Sequence, residues 1–287
     1  MMNSTRKVLD CVDQSRFAAN VVDASAWASQ RLRAPLELLH ILEQHPELAR
    51  LADHSGTLVP DAQDHLLQSL SEDDALRSKS AREAGRQFLS ALRLRAEAAG
   101  APQTDVRQRH GELVETLGEQ EKDVALFVLG RRGEAAEHTQ RDLGRSVERV
   151  VRRLRRPILA VTEDFQPPKR ALLAFDGGPV TRRGVEWLGA SPLLKDLPLT
   201  LLMAGKARQS SKALSWAEKT LTAQGLAVTP ALLPGDPERV IAQTVREQEV
   251  DLLIMGAYSH SPLRSLIFGS KTSDLLRSAT IPTLLLR

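Results

Sequence analysis

The chain repeats one pattern of residues in its two halves, and this duplication restricts the fold more than any other feature. An apolar run that ends in aspartate opens each half, at Val8–Asp13 and again at Ala171–Asp176. A helical stretch and a second apolar run follow, Leu36–Ile41 or Leu199–Ala204, so both halves begin strand, helix, strand. The helical stretches are Ala18–Arg33 and Thr181–Leu188. A repeat of this length predicts two similar domains.

The ends of the two halves match more closely than their beginnings. Each has an apolar strand that runs into glycine, a loop, a second glycine that opens a helix, and a proline that opens a last strand. These landmarks are Gly130, Gly144 and Pro157 in the first half and Gly256, Gly269 and Pro282 in the second. The second glycine and the proline are 13 positions apart both times. The agreement supports a duplication over the whole chain.

The length of 287 residues and a hydrophobic content of 42% allow two domain cores. We predict a first domain at 1–162, a short stiff linker with paired prolines at 163–169, and a second domain at 170–287. The first half is longer because of a polar insert at about 44–80, for which we expect helical pieces and a loop. A further helix is expected at Arg82–Ala99.

Strands that alternate with helices predict an α/β fold with a parallel sheet in each half. The strands are nearly continuous apolar runs, as expected when helices cover both faces of a sheet. Each half should therefore be doubly wound, and ligands of such sheets bind outside the carboxyl ends of the strands. In the second half, Asp176, Ala204 and Gly256 would meet there.

The loop after Gly256 resembles the ATP loop of the universal stress protein family. That pattern is glycine, two residues, glycine, nine residues, glycine, and then serine or threonine. Here Gly256, Ser259, Gly269 and Ser270 occupy these positions, and Ser259 in place of the second glycine is the one departure. Small residues let backbone N–H groups approach phosphates, and the helix that begins near Ser270 points its positive end at them.

The resemblance implies two tandem Rossmann-like domains of the adenine nucleotide α-hydrolase-like type. It also implies that ATP, with Mg²⁺ as a candidate companion, binds in the second half. Asp176 would then contact the ribose or adenine, Ala204 would line the adenine pocket, and Gly235 would lie beside the ribose. We assign no catalytic residue and no protein metal site.

The first half has a similar loop after its late strand, in altered form. Its loop is one residue longer, and Arg145 occupies the position where the family has serine or threonine. We therefore expect binding chiefly in the second half. His40 sits where the family often has a histidine, and it receives no catalytic role. The first-half residues that correspond to the proposed site are Asp13, Ile41, Gly130, Gly133, Gly144 and Ser146.

Simpler explanations compete with the site hypothesis. The glycines after the late strands could serve only the geometry of a strand-to-helix turn. Asp13 and Asp176 could cap helices or end strands without touching a ligand. The segment Gly269–Thr272 is not a P-loop, because its glycine is not followed directly by lysine and the upstream spacing is missing.

Composition and motifs exclude several classes of function. With 39 basic and 36 acidic residues the net charge is +3, so we expect neither nucleic acid nor membrane as a partner. The basic stretch Arg141–Arg156 carries an apolar stripe of Val147, Val151 and Leu154, which predicts a surface helix packed on a sheet. The seven histidines lack metal-site spacing, and no nucleophile-elbow pattern supports a hydrolase triad.

The leading hypothesis is a cytoplasmic stress-response protein in which bound ATP acts as a conformational or partner-binding switch, with at most slow hydrolysis. The single cysteine, Cys11, favours a reducing compartment. The alternatives are a scaffold with degenerate pockets and an ATP-using enzyme of the adenine nucleotide hydrolase-like group. By resemblance, the last strands would mediate self-association, either between the halves as an internal pseudo-dimer or between chains as a homodimer.

Overall fold

The computed structural model of the protein describes residues 6–42, 79–80, 82–131, 145–161, 164–205, 207–257 and 281–287. The first half contains β1 (Lys7–Val12), α1 (Ala18–Leu32), β2 (Leu36–Leu42), α2 (82–98), β3 (Thr104–His110), α3 (Leu113–Gln120), β4 (Val124–Gly130), α4 (Arg145–Arg153) and β5 (Ile158–Val161). The second half contains β6 (Ala171–Ala174), α5 (Pro179–Ala190), β7 (Leu199–Ala204), α6 (Ala207–Thr222), β8 (Val228–Leu233), α7 (Pro237–Glu247), β9 (Leu252–Gly256) and β10 (Thr283–Leu286).

The ten strands form one sheet in the order β3-β2-β1-β4-β5-β10-β9-β6-β7-β8. Neighbouring strands are parallel within each half, and β5 and β10 join the halves as an antiparallel pair. The prediction of a doubly wound parallel arrangement in each half is confirmed, but the two halves share one sheet. Of the predicted insert at 44–80, only 79–80 lies within the described residues, where it is helical.

The junction between the halves has the symmetry of the repeat. Leu159 of β5 pairs with Leu284 of β10, and the flanking pairs are Ile158 with Leu285 and Ala160 with Thr283. Leu159 and Leu284 both follow their proline by two positions, so they are equivalent residues of the two halves. A local two-fold axis therefore passes through this pair, as in an isologous dimer interface.

Helices cover both faces of the sheet, and the core on each face continues across the junction. One face carries α1, α2, α5 and α6, and the other carries α3, α4 and α7. Leu284 and Leu159 belong to the first of these cores, whereas Ile158 and Leu285 belong to the second. Because neither core stops at the junction, the two halves bury their apolar surface jointly.

Contacts between helices and loops reinforce the junction. Arg31 of α1 donates from Nε to the Leu193 carbonyl of the second half at 3.0 Å, and its guanidinium also contacts the Lys195 carbonyl. Arg287 donates to the Leu154 carbonyl at 3.0 Å, just past the end of α4. A cation at the carboxyl end of a helix complements the helix dipole. Each half therefore contributes an arginine to the other.

The basic helix α4 has the amphipathic character that its sequence predicts. Val151 and Leu154 are buried, while Arg149 is exposed and pairs with Glu112, the N-cap of α3, at 2.8 Å. Arg156 lies beyond this helix, because α4 ends at Arg153. Burial and the nearby Arg6 lower the pKa of Arg156, although Glu121 partly opposes this.

The two outer strands, β3 and β8, were not predicted from the sequence. Strand β3 is largely exposed and carries charged side chains, including Arg107, which pairs with Glu37 at 3.3 Å. Strand β8 has no charged residue but contains Pro230. The carbonyls of Ala227 and Leu233 face β7, so by alternation Pro230 faces outward, where its missing N–H leaves a gap in the edge.

Replacement of Pro230 tests this protection of the edge. Pro230→Thr restores an outward N–H, so we expect a concentration-dependent increase in self-association by sedimentation velocity. Thr229→Ser is the matched control, because it changes an exposed side chain whose N–H already faces β7. Equal association of the two variants would contradict the role given to Pro230.

Asp10 is a buried carboxyl in the middle of β1. It is 0% exposed, and neither of its oxygens has a hydrogen-bond partner among the described residues. Ser25 of α1 lies beside it, but the Ser25 hydroxyl donates to the Val21 carbonyl at 2.9 Å. Burial raises the pKa of Asp10 to about 8, with Ser25 lowering it in part and Asp13 raising it further. The equivalent position in the second half is Leu173.

Asp10 should make the folding free energy depend on pH. The folded protein holds this proton up to about pH 8, whereas the unfolded chain releases it near the ordinary value of 3.8. Stability should therefore fall between these values, at about 1.4 kcal/mol per pH unit from this group. We expect Asp10→Leu to raise the melting temperature most at pH 8 and least near pH 4. A gain that is equal at both pH values would contradict the burial of a neutral carboxyl.

Candidate functional site

The predicted residues of the second half meet at the carboxyl edge of its strands. Ala204 and Gly256 are the last residues of β7 and β9, and Asp176 follows β6 by two positions. Strand β6 lies between β9 and β7, so the chain reverses its direction across the sheet at β6. Such a switch point opens a crevice in which ligands of doubly wound folds bind. The three residues thus lie together at this switch point.

The Asp176 side chain organises the turn between β6 and α5. Its Oδ1 accepts hydrogen bonds from the Gly178 backbone N–H at 2.8 Å and from the Thr181 hydroxyl at 2.5 Å. Helix α5 then begins with Pro179 at its first position. Asp176 therefore stabilises a partly exposed turn. It does not cap α5, because the N-cap of that helix is Gly178, where no side-chain cap hydrogen bond is present.

Gly177 is the tightest point of this turn. Its φ is +76°, and a Cβ there would lie 3.3 Å from both Ala213 and Met203. The Arg182 side chain donates from Nε to the Gly177 carbonyl at 2.9 Å. The Arg182 guanidinium lies 4.7 Å from the centre of the Trp216 ring, and Trp216 stacks on Phe175 at 6.4 Å. Sequence reasoning missed these contacts.

Thr181 and Arg182 can be recognised as unusual when the sequences of the two halves are compared. Thr181 and Arg182 follow Asp176 by five and six positions, whereas the same positions after Asp13 are Ala18 and Ala19. A polar pair in one copy and an alanine pair in the other marks a difference in the turn. The packing partner Trp216 is distant in the chain and could not be assigned from this comparison.

Gly235 lies just after β8, before α7. Its φ is +131°, which L side chains rarely adopt, so its conformation alone explains a glycine here. Asp236 caps α7 by accepting from the Arg239 backbone N–H at 3.2 Å. Burial and the neighbouring Asp236 raise the pKa of Glu238 in the first turn. The Gly235 loop therefore carries negative charge close to a helix start.

The remaining phosphate-loop residues of both halves lie outside the described part of the chain. These are Ser259, Gly269 and Ser270 in the second half and Gly133 and Gly144 in the first. Gly130 is the last residue of β4. Ser146 belongs to α4, but its side chain is not among those described.

The first-half turn is built differently from the second-half turn. Asp13 Oδ1 accepts from the Ser15 backbone N–H at 3.2 Å, but Gln14 and Ser15 replace the glycine pair of the second half. No side chain caps α1 at its N-cap, Phe17. Ile41 is the penultimate residue of β2 and is partly buried. The Asp13 carboxylate is therefore presented by a bulkier turn.

The first half is also more polar beneath its crevice. His40 of β2 and Gln108 of β3 are neighbours in register, and the buried His40 Nδ1 and Gln108 Nε2 atoms have no hydrogen-bond partner among the described residues. Burial lowers the pKa of His40, although Asp13 partly offsets this effect. The equivalent pair in the second half is Met203 and Leu232. The two candidate sites therefore differ in the polarity of the strand residues beneath them.

Within the described ranges, no three His, Cys, Asp or Glu side chains are grouped so that they could hold a metal ion. Over the same ranges, no helix combines the length and the apolar character needed to cross a membrane.

Comparisons with known proteins identify relatives of the whole chain. The profile of the universal stress protein family matches residues 4–162 and 189–287. The universal stress protein Slr1230 of Synechocystis sp. (strain PCC 6803) is 30% identical over 286 residues, covering 98% of this chain and 100% of that protein.

Two solved structures have a similar fold over nearly all of the chain. A universal stress protein from Archaeoglobus fulgidus DSM 4304 has a TM-score of 0.65 at 17% identity, covering 98% of this chain and 96% of that one. The functionally unknown protein PA1789 from Pseudomonas aeruginosa PAO1 has a TM-score of 0.56 at 13% identity, covering 99% and 92%. At such identities the likeness concerns the fold.

The Asp176 turn should depend on Gly177 for stability. Gly177→Ala places a Cβ in a left-handed conformation and against two side chains, so we expect a loss of about 2 kcal/mol in unfolding free energy. Gly225→Ala is the matched control, because its φ is +83° but nothing lies within 4 Å of the added Cβ. It should cost about 1 kcal/mol. Urea denaturation measures both, and equal costs would show that the contacts with Ala213 and Met203 do not matter.

Proposed function

The chain belongs to the universal stress protein family as a tandem member, and from this premise we propose that it binds ATP, chiefly in its second half. The observation that carries the proposal is the meeting of Asp176, Ala204 and Gly256 around the switch point at β6. A crevice of this kind, with backbone close to the surface, suits an adenine nucleotide.

The chain offers distinct residues for the two ends of a nucleotide. Asp176, Ala204 and Gly235 would hold the ribose and adenine. The phosphates, with any accompanying Mg²⁺, would be held by the loop residues Gly256, Ser259, Gly269 and Ser270. The glycine spacing of this loop supports the assignment, as does the position of Gly256 at the end of a central strand.

Three differences favour the second half over the first. The glycine pair after Asp176 is missing after Asp13, where Gln14 and Ser15 fill the turn. Arg145 stands where the second half has Ser270. Polar His40 and Gln108 underlie the first crevice, whereas the second has Met203 and Leu232. We assign any binding in the first half a lower affinity.

The site is suited to retention of the nucleotide more than to turnover. Asp176 Oδ1 is engaged by Gly178 and Thr181, so it organises the turn and is poorly placed to act as a base toward water. We therefore propose that ATP occupancy biases a conformation or a partner surface, with little hydrolysis. The strands that could pair two chains already pair within this one, at β5 and β10. The chain has a single cysteine, Cys11, which cannot form a disulfide within the chain, and this supports a cytoplasmic location.

Calorimetric titration with ATP and Mg²⁺ tests the proposal on the full chain. We expect saturable binding to the wild type, and a loss of at least about tenfold in affinity for Gly269→Asp, because a carboxylate would meet the phosphates. Gly144→Asp is the matched first-half control, and it should bind as the wild type does. Circular dichroism confirms that each variant is folded.

The other outcomes select the competing functions. Absence of binding to the folded wild type at millimolar ATP would contradict the proposal and leave the scaffold. Equal losses in both glycine variants would contradict the preference for the second half. Rapid formation of a product from ATP would favour the enzyme over the switch.

A further inference from the structure

We propose that Arg182 is a positioning residue of the second-half site: held against Trp216, it fixes the turn that presents Asp176 to the crevice. The inference rests on the proposed binding of a nucleotide there. It adds a specific structural reason, the contact of Arg182 with Trp216, for a higher nucleotide affinity in the second half than in the first. The residue acts through Asp176 and need not touch the ligand.

Arg182 and Trp216 form a clamp that holds the residues directly before and after Asp176. The residue before it, Phe175, is buried and stacks on Trp216 with 28° between the ring planes. The residue after it, Gly177, accepts the hydrogen bond from Arg182 Nε at 2.9 Å. Arg182 in turn lies over the Trp216 ring, 4.7 Å from its centre. A closed chain of contacts therefore surrounds the Asp176 backbone.

Arginine is the residue type that this geometry requires. One N–H of its guanidinium reaches the Gly177 carbonyl while the plane of the group covers the Trp216 ring. Lysine has a flexible point charge and cannot provide a flat face and a directed N–H together. Because Trp216 is itself partly buried, the stacked guanidinium is fixed on a firm support.

The first half lacks both members of the clamp. Counting from the equivalent aspartates, Ala19 occupies the place of Arg182. Counting from Gly100 and Gly225, which end α2 and α6 with the same backbone hydrogen bonds, Ala91 occupies the place of Trp216. The turn after Asp13 is therefore held without this support. The two copies of the domain therefore differ at both positions: the second has the clamp, and the first has alanines.

A fixed turn lowers the cost of binding. A carboxylate that must be ordered when the ligand arrives loses conformational entropy, whereas a prepositioned one does not. Loss of the clamp should therefore weaken the nucleotide complex more than it weakens the fold. That difference separates a positioning role from a merely structural one.

The test compares two neighbouring arginines of α5. Arg182→Met keeps the apolar stem and removes the guanidinium, and Arg183→Met makes the same change at an exposed position. We expect Arg182→Met to raise the Kd for Mg-ATP about 3- to 10-fold by calorimetry, as one hydrogen bond and one cation–π contact are lost. Arg183→Met should stay within about twofold of the wild type. Arg182→Lys should resemble Arg182→Met.

Tryptophan fluorescence gives a second readout. Addition of Mg-ATP should change the emission of the wild type and of Arg183→Met, and Trp216→Phe should abolish that change while Trp27 and Trp187 remain. If Arg182→Met fails to fold, Trp216→Leu serves as the clamp variant, because it removes the aromatic face, and its Kd should rise in the same way.

Each result has one meaning for the inference. An unchanged Kd in a folded clamp variant overturns it while the proposed function stands. Equal losses in Arg182→Met and Arg183→Met overturn it as well, because a general effect of charge would then suffice. Full rescue by Arg182→Lys excludes the geometric role. Absence of ATP binding to the wild type removes the proposed function itself, and the inference with it.

Discussion

The antiparallel pairing of β5 with β10 is the interaction on which the rest of this structure depends. Without it, each half would end in an open edge next to apolar side chains such as Leu159 and Leu284. The pairing makes one sheet and lets the core on each face run through both halves. It leaves β3 and β8 as the two exposed edge strands. These strands tolerate exposure to water because β3 carries charged side chains and β8 is interrupted by Pro230.

The same pairing determines where the two candidate sites lie. The strands of one half run antiparallel to those of the other. The carboxyl ends of the strands in the two halves therefore point in opposite directions along the strand axis. The turns of Asp13 and Asp176 therefore cannot share one ligand. Two equivalent sites that are physically separate are free to diverge, and they differ in glycine content, in polarity beneath the crevice and in the presence of Arg182.

Apolar periodicity and turn chemistry predicted most of the fold. The central strands were predicted to within a residue or two at their ends, because buried parallel strands are continuous apolar runs. The outer strands β3 and β8 were missed because an edge strand is selected for polarity or proline. The burial of Asp10 was not predicted, because a charged residue within an apolar strand is ordinarily expected to face solvent. The clamp was missed because Arg182 and Trp216 are brought together only by the packing of α5 on α6.

A shared core also couples the two halves thermodynamically. Unfolding of one half would expose β5 or β10 and strip apolar cover from the other, so local opening at the junction is costly for both. Two groups lower the stability that the first half contributes: the buried Asp10, and the His40 Nδ1 atom, which has no hydrogen-bond partner in the part of the chain that the structure describes. The second half has Leu173 and Met203 at the equivalent positions. A nucleotide bound in the second half would stabilise the folded chain by mass action, by about 2.7 kcal/mol at a hundredfold excess over Kd. Because the cores are continuous, that stabilisation would reach the first half as well, and a site in one copy could then govern the order of the whole sheet.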